Sequence, residues 1–203
     1  MICEDVVPVP VWQLVAHGNS LTHGSGAVPY TASLAPLISS RVPLIYNCGV
    51  DGATTPRLVT GDYLCAASPV LPQGLETCVP RLVVVLWEIS NDIITNDPGA
   101  EQLLANVRKW VSLYRERGAR VVVLNCLPRA DCTGEKEASR VECNARLSAE
   151  WADFCDAILD VAEMFPDPHD ADNYQVDGIH LKTAAYARIA AALAPVVLSL
   201  VGD

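Results

Sequence analysis

Four things are missing from this chain of 203 residues, and each absence narrows what it can be. No apolar run approaches the roughly 20 residues that cross a bilayer, so no membrane span is expected. Lysine and arginine number 14 against 24 acidic residues, giving a net charge of −10, and they form no basic cluster. That argues against nucleic acid or an anionic membrane surface as partner. Neither Gly-x-Gly-x-x-Gly nor a Walker lysine is present, which leaves a nucleotide- or phosphate-binding protein poorly supported. The start of the chain lacks a basic region followed by an apolar core, so no secretory signal is expected and a cytoplasmic location is favoured.

The eight cysteines (3, 48, 65, 78, 126, 132, 143 and 155) include no Cys-x-x-Cys pair and no zinc spacing. Cys48 and Cys126 sit in apolar contexts where a thiol acts as a small hydrophobe. Most of the eight are expected to be free and buried.

What is present is a compact globular composition: 51% hydrophobic and 19% charged, long enough for one α/β domain. A single domain over 1–203 is expected, with no repeat, low-complexity tract or linker. Residues 1–10 form a leader, and apolar runs at 11–16, 42–48, 81–88, 119–124 and 157–161 predict strands. The run 81–88 (RLVVVLWE) is β-branched and continuously apolar, as a strand covered on both faces must be. Helices are predicted over 30–40 (offset or interrupted by Pro36), 98–117, 135–154 and 182–200, while 56–76 remains ambiguous. Five alternations of strand and helix predict a parallel sheet in a three-layer α/β/α sandwich of flavodoxin-like type. Ligands of such sheets bind at the carboxyl ends of the strands. Four polar loops fall there: 17–24, 47–55, 89–92 and 170–180.

Two of these loops carry chemistry. Ser20 follows the first strand on a turn flanked by Gly18 and Gly24, which holds its hydroxyl towards a ligand. Asp177 and His180 stand three apart at the entrance to the last helix. There the carboxylate can hold one ring nitrogen as N–H and leave the other as a base. A capping Asp beside a solvated His is the plain alternative. Architecture that unites the strand ends makes Ser20, His180 and Asp177 a candidate nucleophile, base and orienting acid. His17 and His23 flank the serine without a third metal ligand nearby in sequence. His169 lies in an acidic loop, Asp167 to Asp172, read as solvated.

Taken in order, these blocks resemble the SGNH hydrolases, the GDSL-type esterases and lipases. Gly18-Asn19-Ser20-Leu21-Thr22 is similar to the first block, usually Gly-Asp-Ser-Leu. Asn47 to Thr55 is similar to the second, with Gly52 the better match for its N–H-donating glycine and Gly49 the alternative. Ser90-Asn91-Asp92 is similar to the third, Gly-x-Asn-Asp, and Asp177 to His180 to the last, Asp-x-x-His. Leu127-Pro128 also sits where the family often has it. The chain departs at Asn19 (usually Asp), Ile89 (usually Gly) and Leu181 (often Pro).

The resemblance implies a serine esterase without metal or cofactor. Ser20 would attack an ester carbonyl, His180 would relay the proton, and Asp177 would orient His180. An oxyanion hole would form from the N–H groups of Ser20 and Gly52 and the Asn91 side chain. Read without the resemblance, Asn91 caps a turn, Gly52 supplies a positive φ and Asp92 caps a helix. The expected substrate is a small or accessible ester, such as a carbohydrate O-acetyl or short-chain acyl ester. A catalytically decayed binding module on the same fold is the rival reading.

Overall fold

The computed structural model describes residues 11–60 and 80–202. The leader 1–10, most of the ambiguous stretch 56–76, and Cys3, Cys65 and Cys78 lie outside the described residues. Five strands form one sheet: β1 (Val11–Gly18), β2 (Leu44–Gly49), β3 (Pro80–Trp87), β4 (Arg120–Leu124) and β5 (Ala157–Leu159). Their order is β2-β1-β3-β4-β5, and every pairing is parallel. The predicted flavodoxin-like architecture is thus observed, with strand ends within two residues of expectation.

Period-two alternation in the central strands divides the core into two layers. Leu14, Ala16, Val83, Val85, Val122 and Leu124 face one side. There they meet α2 (Tyr30–Ile38) and the terminal helix α8 (Thr183–Val201). Val15, Val84, Leu86, Val121 and Val123 face the other side, against α5 (Gly99–Arg115) and α6 (Glu135–Glu150). On α5 the buried Leu103, Leu104, Val107, Trp110, Val111 and Tyr114 recur at helical spacing, so the helix seals the sheet with one stripe. Removing one such leucine side chain costs about 2–5 kcal/mol by the transfer and cavity terms.

Three short helices occupy loops: α1 (Ser20–His23), α3 (Thr55–Leu58) and α4 (Ser90–Asn96). A further one, α7 (Val161–Met164), follows β5. Pro36 lies inside α2 without ending it, and α6 closes earlier than expected, passing into a 3₁₀ turn at Trp151–Asp153. Helix α8 has 19 residues and a mean hydropathy of 1.8, long and apolar enough by those measures to cross a membrane. Its apolar length is used in the core, where Ala185, Tyr186, Ile189, Leu193 and Val197 are buried. And although no basic run exists in the sequence, Arg81, Arg115, Arg117 and Arg120 converge around one groove also lined by Asp156. Arg120 pairs with that aspartate.

The site follows from strand order. β1 is followed by β2 on one side, whereas β3 lies on its other side, so the loops leaving β1 and β3 diverge and open a crevice. Ser20 leaves β1 and Asn91 follows β3.

Candidate active site

At the end of β1 the backbones of two strands come close. A Cβ on Gly18 would sit 2.2 Å from the Trp87 carbonyl oxygen and 2.3 Å from Thr22 Oγ1, so only glycine fits. The next residue, Asn19, caps α1 by accepting the Leu21 N–H on Oδ1 at 2.8 Å. Ser20 is therefore the first residue of a short helix rather than part of a plain turn. Its N–H takes no hydrogen-bond partner among the described residues.

The loop before α8 delivers the other two residues. Asp177 Oδ1 accepts the backbone N–H groups of Ile179 (2.9 Å) and His180 (3.0 Å). Its Oδ2 lies 2.7 Å from His180 Nδ1, and His180 Nε2 lies 2.9 Å from Ser20 Oγ. The three residues proposed from sequence thus form a continuous chain of contacts spanning 160 positions. Burial pushes the Asp177 carboxyl up, but the bonds from His180 and Ile179 outweigh it and hold the group below its usual range. A carboxylate so held keeps Nδ1 as N–H and turns the Nε2 lone pair towards the serine. Gln175, which sequence reasoning passed over, ties the two loops together: its Nε2 donates to Ser25 O at 2.8 Å and Leu181 O at 3.0 Å.

Ser20, Gly52, Asn91 and His180 line one cleft of about 240 Å³. Of the two glycines in the second block, Gly49 donates its N–H to Asn47 Oδ1 at 3.0 Å. The Gly52 N–H takes no partner among the described residues. Gly52 also has φ +69°, a backbone conformation that glycine reaches without strain.

Asn91 is held at both ends of its amide. Nδ2 donates to the Ala53 carbonyl at 2.9 Å, and Oδ1 accepts from Arg129 Nη1 at 3.1 Å. Guanidinium can only donate and a carbonyl can only accept, so the amide has one orientation. The second Nδ2 hydrogen remains. Arg129, itself bound through Nε and Nη2 to Asp131 at 2.9 Å each, was not singled out in the sequence. The only hint was its place just after Leu127-Pro128.

The rim carries Ser25 and Asp51. Asp51 Oδ1 accepts from Ser25 Oγ at 2.7 Å and lies 2.8 Å from His23 Nδ1. The Ser25 bond, joined by His23, outweighs burial and holds that carboxyl below its usual range. His17 does not reach the cleft. It is fully buried, with Nδ1 2.7 Å from Tyr114 Oη and 3.3 Å from Trp110 Nε1, and burial pushes its imidazole down to about 4. His169 sits in the loop after α7, its N–H given to Asp167.

The departures at 19 and 89 have structural explanations. Asn19 offers a donor as well as an acceptor: Nδ2 gives to Ser90 Oγ at 3.1 Å. Ile89 has φ −178°, extended backbone open to any residue, and its side chain is buried in the layer of α5 and α6.

The fold is that of SGNH hydrolases. A protein from Slackia heliotrinireducens assigned to that group superposes with a TM-score of 0.70 at 19% identity, covering 93% of this chain and 100% of its own. A lipolytic protein of the G-D-S-L family from Veillonella parvula gives 0.66 at 18%, covering 93% and 99%. An acetyl esterase variant crystallised with acetate ion gives 0.67 at 13%, covering 94% and 98%. No protein of curated function matches the sequence. The profile of the GDSL-like Lipase/Acylhydrolase family matches residues 16–188, and the chain belongs to that family.

Proposed function

We propose that this chain is a serine esterase acting on small or accessible esters, through Ser20, His180 and Asp177. The observation that carries the reading is the unbroken contact line from Asp177 Oδ2 through both nitrogens of His180 to Ser20 Oγ. Ser20 Oγ attacks the ester carbonyl while His180 Nε2 takes its proton, and Asp177 steadies the imidazolium that forms. Negative charge builds on the carbonyl oxygen, where the Ser20 and Gly52 N–H groups and the remaining Asn91 Nδ2 hydrogen receive it. His180 then gives the proton to the leaving alcohol. Water, activated by the same nitrogen, releases the acyl group from Ser20.

A cleft of about 240 Å³ is smaller than the roughly 300–1,000 Å³ typical of drug-sized ligands, which supports acetyl or another short acyl group. Polar rim groups, Ser25 and Asp51, suit a hydroxylated alcohol such as a carbohydrate. The rival, a decayed binding module, would take Asn19 and Ile89 as its signs, yet Asn19 caps the helix that carries Ser20 and Ile89 packs in the core away from the cleft. The deciding experiment is hydrolysis of p-nitrophenyl acetate by the purified chain beside Ser20→Ala. Turnover that survives in the variant, or is absent from the wild type with all short-chain esters, refutes the proposal.

A further inference from the structure

Glu88 directly follows the apolar strand β3, is 2% exposed, and has no place in the mechanism above. Its contacts are distributed in a telling way. Oε1 accepts the Asn91 backbone N–H at 2.7 Å and lies 3.5 Å from Asn19 Nδ2, a long contact. Oε2 accepts the Thr55 hydroxyl at 2.9 Å. Asn19 immediately precedes Ser20, Thr55 opens α3 just beyond Gly52, and Asn91 is itself the third donor. One buried carboxyl therefore touches each of the three segments that carry the oxyanion donors.

We propose that Glu88 is a positioning residue of the oxyanion hole, fixing the spacing of the Ser20, Gly52 and Asn91 donors by joining the segments that bear them. This rests on the reading of those groups as donors under the proposed function. Glu88 does not reach the cleft; it acts through its three neighbours. A carboxyl is costly to bury, and an apolar side chain would fill the same place without that cost. What an apolar side chain cannot do is accept hydrogen bonds from three loops at once. Because rate depends steeply on alignment, a shift of about 1 Å in such donors costs on the order of 100-fold.

The surroundings fit. Asp92 lies beside Glu88, its Oδ1 accepting the Thr55 N–H at 2.8 Å and its Oδ2 the Asn106 amide at 3.2 Å. Burial, and then the neighbouring Asp92 charge, push the Glu88 carboxyl up. Glutamine keeps the shape of that side chain: its oxygen can still accept from Asn91, while its N–H₂ donates to the Thr55 hydroxyl oxygen in place of accepting from it. The amide at position 19 belongs to the same arrangement. An aspartate there would set a second acceptor oxygen where Asn19 Nδ2 now lies, 3.5 Å from Oε1.

The test compares Glu88→Leu, Glu88→Gln and Thr55→Val with wild type. kcat and KM on p-nitrophenyl acetate are normalised to the fraction of Ser20 titrated by a fluorophosphonate. Glu88→Leu should lose at least about tenfold in kcat with KM within about twofold, and Glu88→Gln should stay within about threefold of wild type. Should Glu88→Leu not fold, Thr55→Val decides, since it removes the hydroxyl that Glu88 Oε2 holds: a drop in kcat at constant KM supports the proposal, and unchanged kcat overturns it. A folded Glu88→Leu with kcat within about threefold of wild type also overturns it. The Asn19 and Asn91 side-chain amide signals in ¹⁵N NMR give a reading independent of turnover. Displacement in Glu88→Leu but not in Glu88→Gln supports the proposal, and no displacement in Glu88→Leu refutes it. Wild-type protein inactive on esters would instead refute the esterase reading and leave that NMR comparison to judge Glu88.

Discussion

Replacing Asn91 by alanine isolates the chemistry of the cleft. The side chain makes two hydrogen bonds, Nδ2 to Ala53 O and Oδ1 from Arg129 Nη1, and leaves one Nδ2 hydrogen for a substrate oxygen. Losing the two ground-state bonds, at about 0.5–1.5 kcal/mol each, lowers stability by roughly 1–3 kcal/mol. Under the proposed function the remaining hydrogen is different, because its partner, the substrate oxygen, gains negative charge only as the transition state forms. Deleting one such donor costs on the order of 10²–10³ in kcat, roughly 2.7–4 kcal/mol. KM should hardly change, since the loss falls on the transition state. Asn91→Asp separates the two effects. It keeps an acceptor for Arg129, and the pair becomes charge-assisted, yet it sets an oxygen where a donor is required. Its kcat should fall at least as far as that of Asn91→Ala. The assay is steady-state hydrolysis of p-nitrophenyl acetate per fluorophosphonate-titrated site, with urea unfolding of each variant. Asn91→Ala retaining more than about a third of wild-type kcat refutes the argument, and Asn91 is then a turn residue only.

The serine should react alone. A fluorophosphonate is expected to modify one residue, found at Ser20 by peptide mapping, and labelling elsewhere removes Ser20 as nucleophile. Four buried cysteines, 126, 132, 143 and 155, are free. Burial pushes Cys132 to about 11 and Cys143 and Cys155 to about 12. Native protein should therefore react slowly with maleimide at neutral pH and release thiols on denaturation without reductant; fast native labelling of Cys143 contradicts this. His17 should make the fold acid-sensitive. Burial pushes its imidazole from the ordinary 6.5 down to about 4 in the folded protein, so the unfolded chain binds the proton first as pH falls. Its contribution is complete above about 6.5 and disappears towards about 4, a loss of roughly 3 kcal/mol. Urea unfolding across that range should show a shallower pH dependence in His17→Leu than in wild type, and parallel curves refute it.

The central strands were legible in the sequence because strands buried on both faces read as apolar, β-branched runs, with Val83 to Leu86 the clearest, while the partly buried edge strands β2 and β5 showed only as shorter apolar runs. Ser20, Asp177 and His180 could be put forward as candidates because parallel strands return every βα loop to the same end of the sheet, whereas Gly52 and Asn91 were suggested by the resemblance to the SGNH hydrolases. Asp177 and His180 were locally encoded, since three residues suffice for a carboxylate to meet an imidazole and two backbone N–H groups. Contacts between loops were beyond such reasoning. Nothing adjacent in sequence tells Asn91 that Arg129 will take its oxygen, or Ser25 that Gln175 will bind its carbonyl from 150 residues away. The same holds for Glu88. From sequence it was the charged end of an apolar strand, and only the tertiary structure set Asn19, Thr55 and Asn91 around it. Periodicity and local geometry act over a few residues and survive in the linear chain. The hydrogen bonds that align a site join segments whose proximity exists only once the sheet has assembled.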